Sequence, residues 1–392
     1  MTAHLAAVAG RVHARLLEAP AGAAVTGAEV ARLARGEAPL LGPAEVEAVV
    51  AEVLARATGL GPLEPLLADP AVTEVMVSGP GRVWVERAGA LERVAVALDG
   101  PAIEHLIEKV VGPLGLRADR ASPMVDARLP DGSRVNAVVP PLAVDGPCLT
   151  IRRFSAGAVP LAAFCPPGVA ALLGWAVRAR MNMVIAGGTS SGKTTLLNAL
   201  AAEIPAGERI VTVEDAAELR LVQEHVVRLE ARPPNAEGAG EVRVRDLVRN
   251  ALRMRPDRII VGEVRDAAAL DMLQAMNTGH EGSLSTCHAN SPADALRRLE
   301  TMVLLGDAAL PLDAVREQLV ASLDLVVQVA RRPGGGRRVV AVAEVAGEAG
   351  AGGGRVVSLA AEAGVVRLPA RPPRGPATPP PDPAWIGTGE HR

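Results

Sequence analysis

The chain has 392 residues, 41 basic and 44 acidic side chains, and a formal net charge of −3. That length allows two or three domains with a full hydrophobic core, and the charge balance argues against a generally basic coat for nucleic acid. Because the chain has no Tyr and two Phe, a surface that stacks bases on aromatic rings is not expected. The three cysteines are widely spaced, which is typical of buried thiols in a reducing compartment.

Residues 1–60 are predicted to form a helical leader. Val46, Val49, Val50 and Val53 have the spacing of one buried helix face. The first ten residues lack the basic and then apolar pattern of a signal peptide. We therefore expect a small packing or docking bundle at this end.

Residues 61–154 are predicted to form a small α+β domain. The segments 72–77 and 83–86 are β-rich and are separated by a Ser-Gly-Pro-Gly turn, which indicates a hairpin. A helix at about 102–111 and a second hairpin with residues 130–132 at its tip complete the domain.

Residues 155–346 alternate between helix and strand, which predicts an α/β domain. Such alternation favours a parallel sheet covered on both faces, with ligands at the carboxyl ends of the strands. The uncharged stretch 156–177 is interrupted by prolines, so a membrane span is not expected there. The predicted strands are 183–186, 210–213, 259–261 and 283–287, with a closing hairpin of 325–329 and 339–345. The Gly- and Pro-rich residues 347–392 are predicted to be a largely disordered tail.

A complete G-x-x-x-x-G-K-[ST] motif follows the predicted strand 183–186 and opens an apolar-faced helix. Strand, glycine loop and helix form the setting in which backbone N–H groups hold nucleotide phosphates. Lys193 is one of only two lysines in the chain, and its compact ammonium suits β- and γ-phosphates better than an arginine fork. The Thr194 hydroxyl is the first candidate ligand for Mg²⁺. The predicted nucleotide-binding residues are Gly187, Gly188, Thr189, Ser190, Ser191, Gly192, Lys193, Thr194 and Thr195.

The same letters allow two other interpretations. Gly188, Ser190 and Gly192 satisfy G-x-S-x-G, the nucleophile elbow of serine hydrolases. That motif leaves Lys193 and Thr194 unexplained, so the serine hydrolase stays an alternative to the ATPase. A purely structural glycine turn is the third interpretation.

Two acidic positions directly follow predicted strands. Glu214 and Asp215 follow 210–213, and Glu263 follows 259–261. Phosphoryl transfer needs one carboxylate near Mg²⁺ and another to orient and deprotonate water. Helix caps or solvated loop charges are the structural alternative.

His280 and His288 flank the predicted strand 283–287. With Cys287 they could be imagined as zinc ligands, but the spacing is not a standard zinc pattern, and no zinc is expected. We interpret both histidines as sensors of the γ-phosphate. Among basic residues, Arg152 and Arg153 at the domain boundary, and more weakly Arg128 and Arg134, are candidates for arginine fingers.

Four segments, 187–195, 213–219, 255–265 and 278–290, resemble the Walker A motif, Asp box, Walker B motif and His box of type II/type IV secretion-system ATPases. The chain looks most like the CpaF-like branch, which assembles tight-adherence pili, and the similarity extends from about residue 61 to 345. The tetra-cysteine zinc module of type II secretion ATPases is missing, and the proline-rich tail has no counterpart.

The resemblance implies a cytoplasmic homohexamer of two-lobed subunits at the inner face of the plasma membrane. A RecA-like P-loop motor domain would bind ATP and Mg²⁺ and drive an inner-membrane platform protein of a secretion or pilus system. Carried over by position, Glu214 is the general base, Glu263 the Walker B acid near Mg²⁺, and His280 and His288 are the sensors, with the choice of base between the two glutamates left open. An ATP-regulated scaffold with little turnover is the binding-module alternative. A nucleic-acid translocase is not expected.

Overall fold

The computed structural model describes residues 3–17, 26–57, 59–87, 89–129, 131–153, 159–234, 239–306, 309–332, 335–347, 355–375 and 378–386. The chain folds into two compact units, residues 1–155 and 156–392. The leader thus belongs to the first unit and the tail to the second.

The first unit begins with three helices, α1 (Ala3–Leu17), α2 (Gly27–Glu37) and α3 (Pro43–Ala57). Their apolar faces meet in one cluster that includes Val8, Val30 and Val53. Helix α2 starts after Thr26, whose hydroxyl accepts the N–H of Glu29 and so satisfies one free donor of the first turn.

A six-stranded antiparallel sheet with one helix packed on it forms the rest of the first unit. The strand order is β3-β2-β1-β6-β5-β4. Helix α5 packs Ile103 and Ile107 against strand residues such as Val75 and Ile151. The elements are α4 (Glu64–Ala68), β1 (Val72–Ser78), β2 (Val83–Arg87), β3 (Ala90–Val94), α5 (Gly100–Val111), β4 (Met124–Arg128), β5 (Arg134–Val138) and β6 (Cys148–Arg152). Pro130, at the predicted hairpin tip, lies outside the described residues.

The second unit is built on a nine-stranded sheet in the order β15-β14-β13-β12-β7-β11-β10-β8-β9. Strands β12 to β9 in that order run parallel, and β13 to β15 add antiparallel strands at one edge. The elements are α6 (Pro167–Arg178), β7 (Met183–Gly187), α7 (Lys193–Ala201), β8 (Ile210–Glu214), β9 (Val226–Glu230), α8 (Val244–Ala251), β10 (Arg258–Val261), α9 (Ala268–Asn277), β11 (Leu284–His288), α10 (Pro292–Leu304), α11 (Leu312–Ser322), β12 (Leu325–Arg331), β13 (Arg337–Ala346), β14 (Arg355–Ala361) and β15 (Gly364–Val365).

Both faces of this sheet are buried. Because side chains alternate along a strand, Met183 and Ile185 of β7 enter one apolar cluster while Val184 and Ala186 enter the other. Continuous apolar runs are what a parallel sheet covered on both faces requires. The predicted α/β class is confirmed.

The tail differs from the prediction. Residues 355–375 and 378–386 form β14 and β15 and a segment that returns to the unit, where a largely disordered tail was expected. Arg374 donates to both carboxylate oxygens of buried Asp324, and the indole N–H of Trp175 donates to the carbonyl of Pro379 at 2.8 Å. These partners lie far away in sequence, so Gly- and Pro-rich composition alone could not reveal them.

Helix α6 (Pro167–Arg178) covers only the second half of the uncharged stretch, from residue 167 to 177. Among the described residues, no helix combines the length and apolar character needed to cross a bilayer.

Candidate active site

The loop between β7 and α7 is shaped by glycine at two points where another residue would not fit. A Cβ at Gly187 would lie 2.5 Å from both the Val329 carbonyl oxygen and Ser191 Oγ. Gly192 has φ +95, and Ser190 has the uncommon φ of +55. A backbone with these left-handed turns directs its N–H groups inwards, which is the geometry of an anion cradle.

The start of α7 fits a phosphate group. Gly192 precedes the helix and supplies no capping side chain, so N–H groups of the first turn are available to a ligand. Ser191 Oγ is buried and has no hydrogen-bond partner among the described residues. Thr194 stands in the same turn, and a hydroxyl together with a nearby carboxylate is the kind of donor set that Mg²⁺ takes.

Lys193 is held across the mouth of this loop. Its side chain is 8% exposed, and Nζ donates to the carbonyls of Gly187 at 3.2 Å and Gly188 at 2.9 Å. Nζ also lies 3.2 Å from Nε2 of His288. These uncharged acceptors hold the ammonium over the loop and would compete only weakly with a phosphate for it.

His288 connects the lysine to Glu263. Its Nε2 lies 2.9 Å from Glu263 Oε1, while Glu263 Oε2 accepts two hydrogen bonds from Arg265 at 3.0 and 2.7 Å. Burial lowers the pKa of His288, with Glu263 opposing and Lys193 adding to the shift. An unprotonated Nε2 can accept from Lys193. The approach to Glu263 does not have hydrogen-bond geometry, so Glu263 Oε1 has no hydrogen-bond partner among the described residues.

Glu214 is 3% exposed at the end of β8. Its Oε1 accepts the N–H groups of Glu218 at 2.9 Å and Leu219 at 3.0 Å, and its Oε2 has no partner among the described residues. Burial raises the pKa of this carboxyl to about 7, although the two N–H bonds oppose that shift. A Cβ at Gly262 would lie 2.8 Å from Glu214 Cγ, so the neighbouring strand must carry glycine there.

The parallel order of the sheet brings these groups to one edge. Strands β7, β11, β10 and β8 are consecutive neighbours, and His288 is in register with Gly187. The loop, His288, Glu263 and Glu214 therefore follow one another across the carboxyl edge. Gly262 is fixed there because its carbonyl accepts the Thr286 hydroxyl at 2.6 Å.

The structure separates the two predicted sensors. His280 precedes β11, in a loop whose Gly282 N–H donates to Asn182 at the beginning of β7. Since β11 and β7 are parallel, His280 lies at the amino edge of the sheet and His288 at the carboxyl edge. The two histidines thus lie at different edges of the sheet, and their common role as γ-phosphate sensors stays a prediction. The two positions flank the same predicted strand, a separation that the sensor interpretation did not take into account.

Neither the zinc nor the hydrolase alternative gains support from the geometry. Within the part of the chain that the structure describes, no group of three or more His, Cys, Asp or Glu could hold a metal ion. Burial raises the pKa of the Cys287 thiol to about 11, which disfavours a thiolate ligand. Ser190 has the positive φ of an elbow, but among the described residues no imidazole accepts a hydrogen bond from its hydroxyl.

Three of the four predicted arginines form a row in the first unit. Arg128 is in register with Arg134, and Arg134 with Arg152, so their side chains share one face of the sheet. Arg153 is different, because its guanidinium donates to the carbonyls of Asp69 and of Val72, the latter at 3.0 Å. That side chain is held within its own unit.

Sequence reasoning gave no role to Arg265 or Arg337. Arg265 anchors Glu263 and lies 3.7 Å from Asp215. Its position two residues after Glu263, the glutamate that follows β10, could have indicated this contact. The side chain of Arg337 lies against Gly192, a contact across 145 positions that no local pattern announces.

Comparison with known proteins identifies relatives over most of the chain. Residues 56–345 match the model of the family described as type II/IV secretion system protein. A putative conjugal transfer protein of Mycobacterium tuberculosis is 43% identical over 316 residues, covering 78% of this chain and 89% of that protein. The conjugal transfer protein TrbB of Rhizobium radiobacter is 39% identical and covers 72% of this chain and 86% of that protein.

Among solved structures, the pilus retraction motor PilT with bound ADP has a TM-score of 0.52 at 20% identity, covering 71% of this chain and 80% of that one. The DotB ATPase of Yersinia pseudotuberculosis has a TM-score of 0.52 at 19% identity, covering 78% and 80%. These two likenesses support the RecA-like fold. The family match contains the glycine loop, both glutamates and both histidines, and this chain belongs to the type II/IV secretion system protein family and is a P-loop ATPase.

Proposed function

We propose that the chain is the Mg²⁺-dependent subunit of a homohexameric secretion or pilus motor at the inner face of the plasma membrane. The observation that carries the catalytic part is the line from Lys193 through His288 to Glu263, with contacts of 3.2 and 2.9 Å beside the glycine loop. This series of neighbouring side chains connects Lys193, which would hold phosphate, to the Glu263 carboxylate.

The residues of the loop bind and orient the polyphosphate. Backbone N–H groups at the start of α7 and the Lys193 ammonium hold it, and the Thr194 hydroxyl with the Glu263 carboxylate would hold Mg²⁺. Bound Mg²⁺ supplies charge neutralisation on the phosphate oxygens. When Lys193 turns to phosphate, His288 loses that donor and is free to respond to the terminal phosphate.

Glu214 is proposed as the general base. A pKa of about 7 is close to the operating pH, where a base combines the correct protonation state with driving force. Its Oε2 has no partner among the described residues and can take the proton of an attacking water. Arg128, Arg134 and Arg152, which form one row, are proposed as the arginine fingers of the motor.

The cellular role is proposed from the family. Its relatives include proteins named for conjugal transfer and for type IV secretion, and the four motif segments resemble the CpaF-like branch. We infer that the hexamer works on an inner-membrane platform protein, as an assembler of tight-adherence pili or a related secretion machine. No nucleic-acid substrate is proposed.

The test compares ATP binding, phosphate release and assembly mass for the full chain and four variants. Lys193→Ala should lose binding, while Glu214→Gln and Glu263→Gln should bind ATP and release phosphate at least 100-fold more slowly. Glu224→Gln, an exposed acid, is the matched control and should behave as the parent chain. Unchanged turnover in both glutamate variants contradicts the site.

The alternatives give different outcomes in the same experiment. A scaffold would show no turnover above that of Lys193→Ala, even with membranes added. A translocase would be stimulated by DNA. A serine hydrolase would lose its activity in Ser190→Ala and keep it in Lys193→Ala.

A further inference from the structure

The β12–β13 hairpin ends next to the P-loop. Arg331, the last residue of β12, is in register with Arg337, the first residue of β13. Strand β12 runs parallel to β7, and the carbonyl of Val329 is the group that leaves no room for a Cβ at Gly187. The hairpin therefore extends past the carboxyl edge of the sheet, beside the loop.

Arg337 rests on the residue that precedes the lysine. A Cβ at Gly192 would lie 2.6 Å from Arg337 Cδ and 3.4 Å from Cγ and Nε. The aliphatic stem thus covers Gly192, where the backbone has φ +95, a conformation that favours glycine.

No described residue pairs with the charge of Arg337. Its side chain is exposed, and among the described residues it makes no ion pair or hydrogen bond. By contrast, the next residue, Arg338, donates to the carbonyl of Ala163 at 3.2 Å. Arg332, on the same hairpin, pairs with Glu362.

We propose that Arg337 binds the phosphates of the nucleotide from the outer flank of the P-loop; this rests on the proposed use of that loop for ATP. An unpaired guanidinium beside a helix N-terminus adds to the attraction for an anion that the helix already has. Its planar fork can contact two phosphate oxygens at once. Because loop N–H groups cradle the α- and β-phosphates, a group on Gly192 meets phosphates that ATP and ADP share. Arg337 is thus a binding residue for both nucleotides, not a sensor of the terminal phosphate.

The test uses Arg337→Gln, which removes the charge and keeps a stem over Gly192. Displacement of a fluorescent ADP analogue by ADP and by inorganic pyrophosphate is measured in the full chain. Loss of a charge-assisted contact should weaken both competitors about tenfold, and Arg337→Lys should restore part of the loss. The KM for ATP should rise more than kcat falls. Arg338→Ala is the control and should change both affinities less than about twofold, and thermal melting verifies that each variant is folded.

Three results would overturn the proposal. They are unchanged ADP affinity in Arg337→Gln, weakened ADP with unchanged pyrophosphate, and loss of ATP affinity with ADP unaffected. Failure of the proposed function has a different signature, because Lys193→Ala would then bind ADP as well as the parent chain. If Lys193→Ala loses ADP and Arg337→Gln does not, only the inference about Arg337 fails.

Discussion

Two groups of buried polar side chains, one at each edge of the nine-stranded sheet, differ in how their hydrogen bonds are satisfied. At the amino edge, Asn182 donates to the carbonyls of Met276 and Ser322 and accepts the N–H groups of Gly282 and Ser283. At the carboxyl edge, Ser191 Oγ and Glu214 Oε2 are buried and have no partner among the described residues. A satisfied buried network stabilises one arrangement, whereas an unsatisfied polar group costs free energy and suits a ligand site. His280 Nδ1, before β11, also lacks a partner among the described residues. The contrast is therefore between the Asn182 network, which stabilises the fold, and the two groups beside the P-loop, which are available to a ligand.

The largest effect should come from breaking the amino edge at Arg258. This side chain is 0% exposed and donates to Glu208 and to the carbonyls of Val177 and Gly282. Arg258→Ala should lower the free energy of unfolding by about 3–5 kcal/mol, because a fully buried side chain is removed and the carbonyls of Val177 and Gly282 lose a charged donor, while the partly buried Glu208 keeps only Arg180 among the described residues. Urea unfolding followed by circular dichroism measures it.

The control for this change is Arg178→Ala, which removes an exposed ion pair with Glu203 at 2.6 Å. Its cost should stay below about 1 kcal/mol. Equal losses in the two variants would contradict the contrast between buried and exposed pairs.

At the carboxyl edge, Glu214 should make stability depend on pH. Its pKa is raised to about 7 from 4.5, mainly by burial, so the folded chain retains a proton that the unfolded chain releases. The free energy of unfolding that this group contributes is fully present below about pH 4.5 and is lost as the pH rises to 7 and above. In Glu214→Gln that loss disappears, so the variant should gain up to about 3 kcal/mol over the parent chain between pH 4.5 and 8.5.

Urea titrations at several pH values measure this difference. If the difference in free energy of unfolding between parent and variant stays constant with pH, folding does not raise the pKa of Glu214.

The same contrast appears inside the first unit, between Arg153 and Arg152. Arg153 donates to the carbonyls of Asp69 and Val72, whereas Arg152 is exposed. Arg153→Ala should lower the free energy of unfolding by about 2 kcal/mol because the carbonyls lose a charged donor. Arg152→Ala should change it by less than about 0.5 kcal/mol. A destabilised Arg152→Ala would reverse this assignment.

The smallest effect compares one hydroxyl from each edge. Ser283 Oγ donates to His280 at 2.7 Å and accepts from Ile259 at 3.1 Å, so Ser283→Ala should cost about 1–2 kcal/mol. Ser191→Ala removes a buried hydroxyl without a partner and should be neutral or stabilising by up to about 1 kcal/mol. Thermal melts of the two variants, run side by side, should move in opposite directions or differ clearly in size.

Much of the site could be read from local pattern. The glycine loop, Lys193, and the glutamates that end two strands were predicted because each lies within a short window where strand period and glycine spacing are decisive. The helix–strand alternation also predicted a parallel sheet, whose carboxyl edge then gathers those residues.

Pattern failed where the deciding contact is distant in sequence. His280 precedes β11 and His288 is its last residue, and the parallel pairing with β7 decides that His288 is the one beside the P-loop. The tail has the composition of a disordered segment, yet Arg374 meets Asp324, 50 positions away, and that pairing outweighs the composition.

Local chemistry thus dictated which residues can cradle phosphate, because turn conformation and strand endings depend on near neighbours. Only the tertiary structure decided which other side chains lie beside that phosphate-binding loop. It placed His288 between Lys193 and Glu263, laid Arg337 on Gly192, and buried Glu214 deeply enough to raise its pKa. Burial and electrostatic proximity depend on which strands are neighbours in the sheet. Local sequence patterns predict single strands but not the order in which the strands pair.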